Sequence, residues 1–152
     1  MSHLPINHHL RPVYRVIAGL AGLWLLVFGA VGWSATQSAG WFDRGDWSAL
    51  GLPTNRAFAV SSVIAGVVVF AAVLVGRNVD RFVNLWGGAA FILAGTVMLP
   101  LSHTDLDPFN SSALTAIASY VIGLLLLAAG LYGKVGTVAA AAAEETARHG
   151  GH

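Results

Sequence analysis

The sequence predicts an all-α membrane protein, a bundle of four transmembrane helices with both termini in the cytoplasm. Three observations lead to this prediction. Of the 152 residues, 56% are hydrophobic and only 10% are charged, which is far from the composition of a soluble globular domain. Four uncharged apolar segments are long enough to cross a bilayer, which takes about 20 helical residues. Lys and Arg are concentrated on one side of these segments, and this bias sets the orientation.

The four predicted spans cover residues 16–33, 57–75, 82–101 and 113–133. None of them contains Asp, Glu, Lys, Arg or His, and one such charge at the bilayer centre would cost about 2.5–3.5 kcal/mol on insertion scales. Each span should therefore insert without a partner. A buried soluble helix is the alternative for the third span, because Asn84 and several glycines dilute it. The regular spacing of the four spans favours insertion.

The first span has a second interpretation, a cleaved signal peptide. Arg11 and Arg15 precede its apolar run, and small residues follow it. The run is longer than a signal-peptide core of about 7–15 residues. It also carries Trp24 and Trp33, which are typical of an anchored helix. We expect the segment to be retained.

The orientation follows from the cations in the short connections. Six fall on the predicted inner side and two on the outer side: Arg11, Arg15, Arg77, Arg81, Lys134 and Arg148 against Arg44 and Arg56. Because cytoplasmic segments carry the excess of Lys and Arg, residues 1–15 and 134–152 are expected to be cytoplasmic tails of the transmembrane domain 16–133.

Each span contains two small residues that are seven positions apart. These are Gly22 and Gly29, Ala59 and Gly66, Gly88 and Gly95, and Gly123 and Gly130. Seven residues make two helical turns, so each pair lies on one face, and small residues let helix backbones approach closely in lipid. The pairs predict helix packing inside a compact bundle; the alternative is that one such face docks a helix of another protein. Residues 22–29 and 123–130 also look alike and hint at a repeat.

The longest connection, residues 34–55, is rich in aromatic and charged residues. Trp41, Phe42, Arg44 and Trp47 are its candidate docking residues, because Trp and Arg are favoured anchors of protein interfaces. The alternative is a segment that lies at the outer membrane surface with its rings among the lipid headgroups.

The sequence gives little support for catalysis or for a cofactor. It contains no cysteine, which excludes disulfides, thiolate metal sites and cysteine nucleophiles. The six histidines lie in the tails or in a loop, away from the helix positions that ligate a membrane haem. A net charge of +1 provides no basic field for nucleic acid. We expect no enzymatic activity, no intrinsic cofactor, no nucleic-acid partner, and contacts with membrane lipids.

Two groups of side chains are candidate metal ligands. His103, Asp105 and Asp107 form an H-x-D-x-D pattern suited to zinc or manganese, but ordinary turn chemistry, with Ser111 or Ser112 capping the fourth helix, explains the same stretch. The second group comprises the histidines of the tails: His3, His8, His9, His149 and His152. None of these has a partner at i, i+4 within an ordered element. We expect neither group to hold a metal.

Four short motifs carry a resemblance to a family: residues 11–16 (RPVYRV), 50–55 (LGLPTN), 83–87 (VNLWG) and 123–133. The chain resembles actinobacterial four-helix membrane proteins of unknown function, over about residues 10–135. The resemblance implies a multi-pass protein of the bacterial plasma membrane and carries over no catalytic residue. It also points to the small accessory subunits around actinobacterial respiratory supercomplexes of cytochrome bcc and cytochrome oxidase.

The sequence therefore favours a non-catalytic accessory or assembly subunit that contacts larger membrane proteins. The alternative is an independent carrier or channel for an uncharged or lipid-like solute. That function requires a continuous polar lining, for which the candidates are Ser61, Ser62, Asn84, Thr96 and Ser119. A metal-dependent enzyme is a third hypothesis, and it requires that His103, Asp105 and Asp107 converge.

Overall fold

The computed structural model describes residues 5–150, which form five α-helices and one short β-hairpin. The elements in chain order are α1 (Arg11–Ala35), β1 (Ser48–Ala49), β2 (Leu52–Pro53), α2 (Arg56–Val75), α3 (Val79–Leu101), α4 (Ala113–Leu131) and α5 (Val138–His149). Helices α1 to α4 are long and apolar enough to cross a membrane. The predicted bundle of four transmembrane helices is confirmed, and the chain is a multi-pass membrane protein.

The two ends of the bundle are unlike. The end that carries both tails and the α2–α3 turn is called the terminal end, and the end that carries the α1–α2 and α3–α4 connections is called the loop end. At the terminal end, α1 already begins at Arg11, with Pro12 in its first turn, where a missing N–H costs no hydrogen bond. Helix α3 begins at Val79, so Arg81 lies in a helix and not in the loop where the sequence placed it.

Side-chain caps begin the helices at the loop end. Asn55 Oδ1 accepts a hydrogen bond from the N–H of Phe58 at 2.9 Å and caps α2. Ser112, one of the two predicted candidates, caps α4 together with Thr115 in a capping box. These caps satisfy N–H groups that have no partner within the helix.

The bundle consists of two helical hairpins, α1 with α2 and α3 with α4, and each is packed at the level of the backbone. A Cβ atom on Gly22 would lie 3.3 Å from the carbonyl oxygen of Gly66. In the second hairpin, a Cβ on Gly88 would lie 2.7 Å from the carbonyl oxygen of Gly123. Only a residue without a side chain allows helices to approach this closely.

The second hairpin repeats the packing of the first. The equivalent positions are Gly22 and Gly88, Gly29 and Gly95, Ala59 and Ala116, and Gly66 and Gly123. The repeat therefore relates α1 to α3 and α2 to α4. The likeness between residues 22–29 and 123–130 does not mark this repeat, because those segments lie in α1 and α4, which run in opposite directions through the bundle.

A buried carboxylate joins the helices at the terminal end. Asp80 is only 1% exposed, and its Oδ2 lies 3.3 Å from Arg11 Nη2 and 3.5 Å from Arg15 Nε. Arg11 also donates to the carbonyl of Gly133 beyond α4, at 3.2 Å. Arg15 also donates to the carbonyl of Val73 in the last turn of α2. The two arginines of α1 thus contact α2, α3 and the segment that follows α4.

Two asparagine side chains attach the segment that follows α4. The amide of Asn78 donates to the carbonyl of Val135 at 3.0 Å and accepts from its N–H at 2.7 Å. Asn7 makes the same pair of bonds with Gly136, at 2.9 and 3.2 Å. Each side-chain amide both donates to and accepts from the main chain of one residue, as a neighbouring β-strand would. The segment between α4 and α5 is therefore hydrogen-bonded to the α2–α3 turn and to the N-terminal segment.

Gly88→Ala is expected to lower stability in detergent by about 1–3 kcal/mol, the usual cost of overpacking, because the new Cβ would lie 2.7 Å from Leu127 Cγ. Gly87→Ala is the matched control, since its Cβ would lie 3.7 Å from Leu126 Cδ1, an ordinary contact. Thermal unfolding followed by circular dichroism compares the two variants. Equal losses would show that the α3–α4 crossing does not limit stability.

Asp80→Ala is expected to destabilise the bundle by about 3 kcal/mol, as when one partner of a buried ion pair is removed. Arg11 and Arg15 would then keep partly buried charges without a carboxylate. The control is Asp105→Ala, which removes a fully exposed carboxylate from a surface pair. The free energy of unfolding of both variants is measured in mixed micelles that contain an increasing fraction of denaturing detergent. An Asp80→Ala protein as stable as the control would contradict the role of this cluster.

Candidate interaction surface

The β-hairpin of β1 and β2 closes the loop end of the bundle. Its antiparallel strands pair Ser48 with Pro53 and Ala49 with Leu52. The turn residues Leu50 and Gly51 have φ angles of 49° and 81°, as a two-residue hairpin turn requires. Ala49 and Leu52 are buried and pack with Phe28 of α1. This part of the 34–55 connection therefore folds onto the helices and belongs to the core.

Hydrogen bonds link the two connections of the loop end to each other. The side-chain amide of Asn110 donates to the carbonyls of Gly45 and Thr54, at 2.9 and 3.0 Å. Asn55, which is fully buried, donates from Nδ2 to the carbonyl of Pro108 at 2.9 Å. The α1–α2 and α3–α4 connections thus form one folded cap across both hairpins.

Three aromatic side chains stand exposed on this cap: Trp33, Trp41 and Phe42, here called the aromatic patch. Their exposed fractions are 39%, 52% and 65%. The guanidinium of Arg56 lies over two of the rings, 4.9 Å from the centroid of Trp33 and 5.7 Å from that of Trp41, a distance at which cation–π attraction acts. The carbonyl of Trp41 also accepts from the N–H of Ala57 at 2.9 Å. The patch is therefore exposed, and two of its three rings are held in place.

The other two predicted docking residues stabilise the cap. Arg44 forms an ion pair with Asp105 at 3.1 Å and donates to the carbonyl of Thr104. The ring of Trp47 folds back onto its own loop, where a Cβ on Gly45 would lie 2.7 Å from it. Of the four candidates, Trp41 and Phe42 remain available to a partner.

The eight small residues of the predicted stripes all lie buried between helices: Gly22, Gly29, Ala59, Gly66, Gly88, Gly95, Gly123 and Gly130. Gly29 lies against Ala59 and Val63 of α2, and Gly130 lies against Leu85 of α3. Packing within the hairpins occupies these faces. No stripe is left to receive an outside helix among the described residues.

Two apolar grooves open sideways where the hairpins meet. The groove between α2 and α3 has a volume of about 260 Å³ and is lined by Phe58, Ala65, Phe91 and Met98 among others. The groove between α1 and α4 has a volume of about 520 Å³ and includes Ile17, Trp24, Val121 and Leu125. Both lie between the hairpins, where packing is less close than within each hairpin. One is bordered by α2 and α3 and the other by α1 and α4.

The candidate residues for a polar pathway do not line one. Ser61 and Thr96 are exposed on the outside of the helices, whereas Ser62, Asn84 and Ser119 are buried. The hydroxyls of Ser61, Ser62 and Thr96 each donate to a carbonyl one turn back, at 2.8 Å. The interior cavity beside Ser62 and Ser119 measures only about 20 Å³. Across residues 5–150 these polar side chains are therefore scattered, and they do not form the continuous polar lining that a carrier or channel requires.

The candidate metal ligands are also separated. Asp107 is buried, and its carboxylate accepts from the N–H of Phe109 at 3.0 Å and from the hydroxyl of Ser111 at 3.1 Å. Asp105 is engaged with Arg44, and His103 is exposed. In the described part of the chain, three or more His, Asp or Glu side chains never come together in a metal-binding arrangement.

The histidines of the tails fall in different places. The rings of His8 and His9 stack with centroids 4.5 Å apart, and His8 also contacts Tyr132. His149 ends α5. His3 and His152 lie outside the described residues.

Comparison of the chain with protein-family models, with curated proteins and with solved structures found no match. The fold itself defines the class of protein, a multi-pass membrane protein of four apolar helices.

Sequence reasoning missed three polar residues that hold these features together: Asp80, Asn55 and Asn110. A signal existed for Asn55, since an asparagine directly before an apolar run is a typical helix N-cap. Asn110 has a φ of 51°, a conformation that asparagine tolerates well, but its partners Gly45 and Thr54 are distant in sequence. The burial of Asp80 depends in the same way on arginines of another helix.

Asn110→Ala is expected to loosen the cap, because it removes two hydrogen bonds and places alanine at a φ of 51°. The free energy of unfolding should fall by about 2 kcal/mol, since each of the two hydrogen bonds contributes about 1 kcal/mol. Asn110→Gly is the matched control, since glycine accepts this φ but also lacks the amide. Hydrogen exchange at the Thr54 and Ala57 amides should be fastest in the alanine variant, intermediate in the glycine variant and slowest in the unmodified chain. Unchanged protection in both variants would show that Asn110 does not hold the cap.

Proposed function

We propose that this chain is a non-catalytic accessory or assembly subunit that binds a larger integral membrane protein through its aromatic patch. The observation that carries the proposal is that Trp33, Trp41 and Phe42 are exposed although their surroundings are fixed. Large aromatic side chains dominate the binding energy of protein interfaces. A patch ordered in advance loses little conformational entropy on binding, and Arg56 orders two of its three rings.

The charges beside the patch favour a protein over lipid headgroups as its ligand. Asp43 and Asp46 lie in the same loop and are exposed. Carboxylates at this position gain no attraction from the phosphates of lipid headgroups, which carry the same sign of charge. A protein surface with its own cations or amides could accept both the rings and the carboxylates.

The interior of the bundle supports an accessory function over transport. A carrier or channel needs a path that hydrates or coordinates its solute, and the buried polar residues here border a cavity of about 20 Å³. The grooves that are large enough to hold a guest, of about 260 and 520 Å³, are apolar and open to the sides. They suit lipid tails or a neighbouring helix.

As part of this proposal we place the tails in the cytoplasm and the aromatic patch on the outer face of the bacterial plasma membrane. The basis is the excess of cations at the terminal end. The resemblance to actinobacterial membrane proteins makes the cytochrome bcc–oxidase supercomplex the first partner to test.

The test is isolation of the tagged chain from native membranes in a mild detergent, followed by native electrophoresis and mass spectrometry. The unmodified chain should migrate in a large assembly. The double variant Trp41→Ala/Phe42→Ala should migrate alone, because it removes most of the exposed ring surface. The control is Trp86→Ala, which removes an equally exposed tryptophan, 67% accessible, from the lipid-facing side of α3 and should keep the assembly.

The outcomes separate the parts of the proposal. Haem–copper oxidase or bcc subunits in the assembly would support the respiratory partner, and another membrane protein would refute that partner but keep the accessory function. An unmodified chain that migrates alone would contradict the accessory function. A double variant that stays in the assembly would place the interface elsewhere.

A further inference from the structure

Three cations at the terminal end have no carboxylate partner among the described residues: Arg77, Arg81 and Lys134. Asp80 is already engaged by Arg11 and Arg15. Its Oδ1 accepts only the main-chain N–H of Arg81, at 2.9 Å, and not the guanidinium. The Nε of Arg81 is buried without a hydrogen-bond acceptor. A buried donor without an acceptor is costly, and no carboxylate of the described residues compensates the charge of Arg81.

The fold brings these three cations to one edge of the bundle. The hydrogen-bonded pair of Asn78 and Val135 joins the residue after Arg77 to the residue after Lys134. Arg81 lies beside this junction, since a Cβ atom placed on Gly133 would be 3.6 Å from the Cβ atom of Arg81. The cations therefore come from the α2–α3 turn, the first turn of α3 and the end of α4, which meet at the same level.

The other carboxylates of this end do not offset the excess of positive charge. Glu144 and Glu145 lie on α5, beyond the junction, and Glu144 forms an ion pair with Arg148 at 2.8 Å. Among residues 5–150 no carboxylate is paired with these cations, so an external anion could neutralise the edge.

The position of the edge indicates which anion. It lies where three membrane-spanning helices begin or end, the level at which phospholipid headgroups lie. A guanidinium matches the paired oxygens of a phosphate, and basic pockets between transmembrane helices bind anionic lipid headgroups. We propose that Arg81, together with Arg77 and Lys134, binds the phosphate of an anionic phospholipid. Exposed apolar residues adjoin the site, Phe82 on α3 and Leu131 on α4, and offer contact to the acyl chains, which a free phosphate ion lacks.

The test uses the full chain, purified in detergent and stripped of lipid. Native mass spectrometry measures its binding of short-chain phosphatidylglycerol and of phosphatidylcholine, which has a phosphate but no net charge. The chain should prefer phosphatidylglycerol. Arg81→Gln should weaken phosphatidylglycerol binding about fivefold, the effect of one cation near a charged membrane surface, and leave phosphatidylcholine binding unchanged. Arg148→Gln, in the tail helix, is the control and should leave both unchanged.

Two further variants guard against a folding artefact. Arg81→Lys keeps the charge and should retain most of the preference, and Arg77→Gln/Lys134→Gln leaves Arg81 in place and should still weaken phosphatidylglycerol binding. Circular dichroism without lipid verifies that each variant is folded. Equal binding of the two lipids, or equal losses in Arg81→Gln and Arg148→Gln, would overturn the proposal. Inorganic phosphate that displaces phosphatidylglycerol with the same dependence on Arg81 would overturn the lipid as the source of the anion.

Discussion

The arrangement of the whole bundle depends on one buried carboxylate, Asp80, and the two arginines of α1 that surround it. Burying an ionised carboxylate is costly unless it is paired, so Arg11 and Arg15 must stay beside it. Each arginine also donates to a carbonyl at the end of another helix, at Gly133 and Val73. These carbonyls lie at helix ends, where the regular hydrogen-bond pattern stops. The cluster thus joins α1 to α2, to α3 and to the segment that follows α4, and it links the two hairpins at the terminal end.

Two kinds of force act at different levels of the bundle. Within each hairpin, glycines such as Gly66 and Gly123 let the backbones touch along the middle of the helices. Between the hairpins the packing is looser, and the two lateral grooves lie there; the α2–α3 groove extends to Phe58 and Phe109 at the loop end. The hairpins are fixed to each other at the ends, by the Asp80 cluster at one end and by Asn55 and Asn110 at the other. The ends are therefore rigid, whereas the grooves can fit the lipid or helix beside them.

The sequence predicted the membrane helices because a charge in the bilayer is so costly that its absence over 18 residues is informative. It also identified the helix faces that carry small residues. Two small residues seven positions apart show that such a face exists, but they do not show which helix packs against it. The β-hairpin escaped prediction, since strands of two residues have no periodicity to detect. Among the four docking candidates, Trp41 and Trp47 are the same residue type in the same loop. Only the fold shows that Trp41 is exposed and that the ring of Trp47 packs against Gly45.

The opposite chemistry of the two ends links the two proposals. Exposed carboxylates, Asp43 and Asp46, border the aromatic patch at the loop end, and unpaired cations mark the terminal end. A membrane protein that presents a side-chain patch to a partner must sit at a fixed height in the bilayer, because a shift of one helical turn, about 5.4 Å, would misalign the contact. A headgroup held at Arg81 on α3 would set that height from the terminal end, and the Asp80 cluster and the cap link α3 to the hairpin that carries the patch. Lipid binding and partner binding would then occupy separate surfaces while the first positions the second.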